Sequence, residues 1–130
     1  MAFAGQIDCG PSNQICISLK ASAAITKFEG VTIASNSDGE CTVVASAGAI
    51  CHGIAQNKAA AAGGSVKVCL MGVSRVLAGN SVTKGVALQI DATGRAIAAT
   101  TADEVCGLAL TAADAAGDMI TMVVGYGGIY

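Results

Sequence analysis

The sequence predicts a mainly β domain: a compact β-barrel or sandwich built from two similar halves, with at most one or two short helices. Three observations carry this expectation. Apolar residues alternate in short runs, glycine interrupts the chain about every ten residues, and the chain matches itself at an offset of 54 to 55 positions. A length of 130 residues fits a single domain, 1–130. Within it, residues 1–20 read as an N-terminal arm and first strand, 24–70 and 79–124 as pseudo-repeats, and 125–130 as a C-terminal tail.

The alternation is clearest in Ile15/Ile17/Leu19, Cys41/Val43/Ala45, Val66/Val68/Leu70 and Ile120/Met122/Val124, where every second side chain would face a core. One stretch has the other period. Ala21, Ala24, Ile25 and Phe28 fall at i, i+3, i+4 and i+7, which predicts a short helix there. Gly30, Gly39, Gly53, Gly63, Gly64, Gly72, Gly79, Gly85, Gly94, Gly107 and Gly117 punctuate the junctions as turns.

The self-match runs without a gap from Gly53-Ile-Ala55 against Gly107-Leu-Ala109 to Ala59, Ala61, Ala62, Gly63 and Val66 against Ala113, Ala115, Ala116, Gly117 and Ile120. Upstream the offset reads as 55: Gly30-Val31 against Gly85-Val86, Ile33 against Leu88, and Gly39 against Gly94. In the Ala-rich pieces Asn57 and Thr111 stand where a helix N-cap would, with Gly63 and Gly117 at the C-terminal stop. One turn of helix and a plain loop both remain open there.

Composition narrows the function. With 53% hydrophobic residues and 12% charged, against ~25% charged in an average domain, disorder is excluded and a fully solvated monomer is disfavoured. Burial between copies of the chain, or against a partner, is the expected remedy. The net charge is −2 and the 7 basic residues are scattered singly, so no nucleic-acid footprint exists. The longest uncharged stretch, Cys41 to Asn57, contains Thr42, Ser46, His52, Gln56 and Asn57 and is shorter than the ~20 apolar residues of a membrane span. Met1 to Asp8 has no basic residue ahead of an apolar run and Pro11 follows, so the chain is expected to remain in the cell that makes it.

The six cysteines, Cys9, Cys16, Cys41, Cys51, Cys69 and Cys106, contain no Cys-x-x-Cys pair, and His52 is the single histidine. Zinc-site spacing is therefore missing, and in a reducing compartment the thiols are expected as reduced, small apolar core groups. No catalytic, cofactor-binding or metal residues are assigned, and no enzyme activity is expected. His52 beside Cys51 would point to the opposite face of a strand. Asp8, Glu29, Asp38, Glu40, Asp91, Asp103, Glu104, Asp114 and Asp118 mostly flank predicted turns. Gly79-Asn-Ser-Val-Thr-Lys-Gly85 puts its lysine before the second glycine, which is not a phosphate-binding loop. A glycan-binding platform would have to come from Phe3, Phe28, Tyr126 and Tyr130.

The order Gly30-Val-Thr-Ile, Gly53-Ile-Ala, Ala62-Gly63 then Val66-Lys-Val, Gly72-Val, Ala78-Gly79 then Val82-Thr-Lys-Gly85, Asp91-Ala-Thr-Gly94-Arg, Val105-Cys-Gly-Leu-Ala109 and Ala116-Gly-Asp-Met-Ile resembles the small tailed-bacteriophage capsid cement, or head decoration, proteins. The resemblance spans about residues 28 to 124. It implies a mostly β structural protein on the outer surface of an icosahedral capsid in the virion, made in the host cytoplasm. It also implies binding to the major capsid protein and assembly with itself, as a homotrimer rather than the alternative dimer. No cofactor, nucleic acid or membrane enters that reading. Candidate contact segments are the arm Met1 to Pro11 and the uncharged end Gly125-Tyr-Gly-Gly-Ile-Tyr130. The rival function is a virion-displayed host- or glycan-binding module.

Overall fold

A computed structural model of the chain describes residues 14–33, 38–44, 48–100 and 104–129, with side chains as far as residue 125. Among them are nine strands and no helix: β1 (Gln14–Ala21), β2 (Gly30–Ile33), β3 (Glu40–Val43), β4 (Gly53–Ala55), β5 (Ser65–Leu77), β6 (Ala87–Ile90), β7 (Ala96–Ala98), β8 (Glu104–Ala109) and β9 (Met119–Ile129). They form one sheet in the order β1-β3-β2-β4-β5-β9-β8-β6-β7, and β1 pairs again with β5. That extra pairing closes a ring. β1 lies antiparallel to β5, from Ile15↔Met71 to Lys20↔Ser65, and parallel to β3 through Ala21↔Cys41.

A second ring starts where the first ends. The C-terminal half of β5 pairs with β9 from Gly72↔Val124 to Leu77↔Met119, and Ala78 then bridges to Ala96 in the parallel sense, as Ala21 does to Cys41. The 13-residue β5, extending roughly 40 Å at ~3.3 Å per residue, is long enough to serve as last strand of one ring and first strand of the next. Its partners change at Gly72, which faces Gln14 on one side and Val124 on the other. The residue has φ of 118°, a conformation that a side chain would oppose.

The two rings share a set of equivalent backbone bonds. Phe28 N–H donates to Ala55 O as Gly85 N–H does to Ala109 O, both at 2.8 Å, and Ile25 and Ala59 exchange both backbone bonds as Val82 and Ala113 do. Gly63 N–H donates to Ala21 O, and Gly117 N–H to Ala78 O. These equivalences run at 57 positions through β2 and β6, 55 at Cys41 and Ala96, and 54 from β4 and β8 onward, which corrects the upstream match at Gly30, Val31 and Ile33. Pairing places Gly30 with Ala87, Val31 with Leu88 and Ile33 with Ile90, instead of Gly85, Val86 and Leu88. The cause is the first hairpin, whose connection 34–40 is two residues longer than its counterpart 91–95, so an ungapped comparison slips by two.

The core explains the alanine. Ala21, Ile25, Val31, Cys41, Ala55, Ala59, Val66 and Val68 pack together inside the first ring. Each has a buried counterpart in the second: Ala78, Val82, Leu88, Ala96, Ala109, Ala113, Ile120 and Met122. A ring of five strands has a narrow interior, and small side chains are what fit it. The second cluster also holds Val44, Ile54, Cys69, Ile90, Cys106 and Val124, which lie outside this set of counterparts and join residues of both rings.

The helix expected over Ala21 to Phe28 is not formed. Ala21 ends β1, Ile25 is held by Ala59, and residues 27–28 make a turn, so the apolar spacing serves a tight connection. The Ala-rich pieces are loops. Asn57 and Thr111 act across the sheet: Asn57 Oδ1 accepts from Lys67 N–H at 2.6 Å and Thr111 Oγ1 from Thr121 N–H at 2.9 Å.

Candidate docking surface

The polar candidates serve the scaffold. His52 is exposed and its Nδ1 accepts from Ile33 N–H at 3.0 Å, with Thr32 Oγ1 at 3.1 Å, while the Cys51 thiol donates to Gly53 O at 3.2 Å. The two side chains are thus engaged separately. Asp91 Oδ1 accepts from Thr93 N–H, Thr93 Oγ1 and Arg95 N–H, which ties the β6–β7 turn. Asp118 Oδ2 accepts from Asp114 and Ala115 N–H, and Glu29 Oε1 from Thr26 N–H. Across the stretch Gly79 to Gly85, Val82 is bridged to Ala113 and Gly85 N–H is bonded to Ala109, so no open phosphate cradle is present there. A shallow depression lined by Ser18, Leu19, Lys20, Gly63 and Ser65 holds one ionisable group, Lys20. Asp8 and Asp103 lie outside the described residues, as does Cys9.

Four of the described cysteines gather in the second core cluster: Cys69 and Cys106 are buried in it, and Cys16 and Cys51 pack against it half-buried. Cys41 lies apart in the first ring. Burial, helped by neighbouring Cys16, pushes the Cys69 thiol up to about 12. Cys106 is raised by its hydrogen bond with Cys51, then by burial. Burial raises Cys41 as well. Among the described residues no group of three or more His, Cys, Asp or Glu converges as metal ligands.

What the surface does offer is apolar. Ile15 and Met71 face each other across β1 and β5 at 61% and 54% exposure, and Ile17, two residues along the same face, is 38% exposed. This strip borders the row Gln14, Gly72 and Val124, where three strands are in register. Of the two contact segments named from sequence, Met1 to Pro11 lie outside the described residues, and the other begins next to that row. On the other side Gly125 follows Val124, close enough to Met71 that a Cβ on it would lie 3.2 Å from Met71 Cγ.

The end of the chain is strand as far as Ile129, not a tail: Val105↔Gly128 and Glu104↔Ile129 extend β9 along β8. Gly125 to Tyr130 stands out in the sequence as an uncharged end, but the place of Gly125 beside Met71 depends on the register of β5, which no local pattern reveals. Polar side chains brace this region from beneath. Gln14 Nε2 donates to Gln56 Oε1 and to Val73 O, and Gln56 Nε2 donates to buried Ser74 Oγ at 2.9 Å.

A family model described as phage cement protein matches residues 11–125. No curated protein sequence matches the chain. Among solved structures, the N base of head fiber gp8.5 in bacteriophage phi29 has a similar fold, with a TM-score of 0.71 and 18% identity, covering 90% of this chain and 98% of that one.

Proposed function

Since the chain belongs to the phage cement protein family, and is thus a structural protein of the phage capsid, we propose that it binds the outer surface of an icosahedral head and strengthens contacts between major capsid proteins. The observation that supports this reading most is the exposed Ile15, Ile17 and Met71 strip, set beside the row Gln14, Gly72 and Val124. An exposed apolar strip on a rigid sheet suits a permanent partner. The fold shared with a head fiber base agrees with a place on the head. As a single domain with pseudo-repeats 24–70 and 79–124, the chain presents both rings to its surroundings as one unit. In this reading it assembles as a homotrimer, and it performs no catalysis. An aromatic platform of the kind that glycan binding uses is not assembled among the described side chains, where the aromatic ring is that of Phe28.

The test is co-sedimentation with heads that lack the protein. Ile15→Asp with Met71→Asp should lower head affinity by at least 30-fold, since losing two partly buried apolar contacts costs about 2 kcal/mol or more. The melting temperature should stay near wild type, because both side chains are exposed before binding. Unchanged head binding by the double variant would remove this strip from the interface.

A further inference from the structure

We propose that Cys16–Cys69 and Cys51–Cys106 are two disulfide-forming sites, reduced as the protein folds and closed when the chain meets a low-molecular-weight disulfide. Register carries the first pair. Cys16 and Cys69 are direct partners in the antiparallel β1–β5 ladder, so they share a face, and opposed residues in such a ladder have Cα atoms ~4.5–5.5 Å apart. A disulfide needs ~4.4–6.8 Å. Both side chains belong to the same core cluster, Cys69 buried in it and Cys16 packed against it. Beside them the ladder carries a bulge, in which Leu70 has no opposing residue.

The second pair stands on packing. Cys51, just before β4 of the first ring, packs against the core cluster in which Cys106 of β8 in the second ring is buried. One link would therefore fasten β1, the strand that closes the first ring, and the other would fasten ring to ring. Among the described residues Cys41 has no such cysteine neighbour, because it lies in the separate first-ring cluster.

Each pair joins a half-buried thiol to a buried one. That arrangement sets the order of events. The Cys16 or Cys51 thiolate attacks one sulfur of the small disulfide, and a mixed disulfide forms as the first small thiol leaves. The buried Cys69 or Cys106 then gives up its proton and attacks the protein-bound sulfur, displacing the second small thiol, which takes that proton. Two protein thiols are oxidised and one small disulfide is reduced to two thiols. The buried thiols lie above the ordinary range, so the second step is slow. This inference concerns the chain itself and does not rest on its place in the capsid.

The experiment uses the full purified chain, incubated with glutathione disulfide, then unfolded, alkylated with iodoacetamide and digested with trypsin. Cys16 should be found linked to the peptide 68–75, and Cys51 to the peptide 96–130, with fragmentation separating Cys51 from Cys41 inside 28–58. Cys41 should remain alkylatable. Closing loops of this length should raise the melting temperature by roughly 10 °C, reversed by dithiothreitol. Cys16→Ser should lose the first link and keep the second, and Cys51→Ser the reverse. Full alkylation of all six thiols after prolonged exposure, or links only between chains or to Cys41, would overturn the proposal.

Discussion

Replacing Gly53 or Gly107 with alanine tests the repeated architecture at its tightest point. Both glycines occupy equivalent strand positions, in β4 and β8, and a Cβ on either would run into a backbone carbonyl of the neighbouring strand: Cys69 O for Gly53 and Val123 O for Gly107. Gly53 would also meet Val68 Cγ1 at 2.6 Å, and Gly107 would meet Met122 Cε. Carbonyl oxygens in a ladder cannot swing aside, so the strands themselves must part by something near 1 Å. Overpacking of this kind costs about 1–3 kcal/mol, and the lower entropy of an unfolded alanine returns about 0.4–1 kcal/mol in the opposite direction. A net loss of about 1–2 kcal/mol corresponds to a melting temperature lower by roughly 4 to 8 °C. Gly63→Ala and Gly117→Ala provide the contrast, because open space surrounds both and only their φ of 92° opposes a side chain, at about 1 kcal/mol. Thermal unfolding of the four variants by circular dichroism is the assay. If Gly53→Ala or Gly107→Ala melts within a degree or two of wild type, or if the two differ from each other by more than they differ from the Gly63 and Gly117 variants, the equivalence argued here is wrong.

Phe28 has φ of 66° where its counterpart is Gly85, and Lys27 Nζ sits 4.9 Å from its ring. Phe28→Gly should change stability by less than about 1 kcal/mol, because relieved strain offsets the lost ring contact, whereas Phe28→Val should lose about 2 kcal/mol in denaturant titrations. The raised Cys69 thiol makes stability alkaline-sensitive. The folded chain holds that proton more tightly than the unfolded one, so stability is complete below 9.0 and falls as pH rises towards about 12. Unfolding midpoints measured in reductant should show the decline, and Cys69→Ala should make it shallower, leaving the share of the raised Cys41 and Cys106 thiols. Gln56→Ala removes the amide that joins Gln14 to buried Ser74 and should cost about 1–2 kcal/mol, while exposed Lys58→Ala should leave the unfolding midpoint unchanged.

Strand content was legible because period-two alternation is a local signal: Ile15/Ile17/Leu19, Val66/Val68/Leu70 and Ile120/Met122/Val124 all lie in strands. The same local reading failed at Ala21 to Phe28, where apolar spacing that fits a helix is satisfied by the bonds of Ile25 to Ala59. Repetition was visible after Gly53, where the two copies have equal length, and slipped by two residues before it, where they do not. Strand β5 reads from sequence as one apolar run. Its double duty depends on β1 and β9 arriving on either half, which is settled by distant residues. The cysteine grouping was hidden for a related reason. Cys16 and Cys69, or Cys51 and Cys106, are separated by most of a repeat, and only ring closure makes them neighbours.

The capsid role is tested most directly by heating filled heads assembled without the protein, before and after the purified chain is added back, and following DNA release with an intercalating dye. A clamp that binds only the assembled shell adds its binding free energy to the intact state. The account predicts that heads form without the chain, release DNA at a lower temperature, and recover the temperature of complete heads when it is restored. Release at the same temperature with and without bound chain would contradict it.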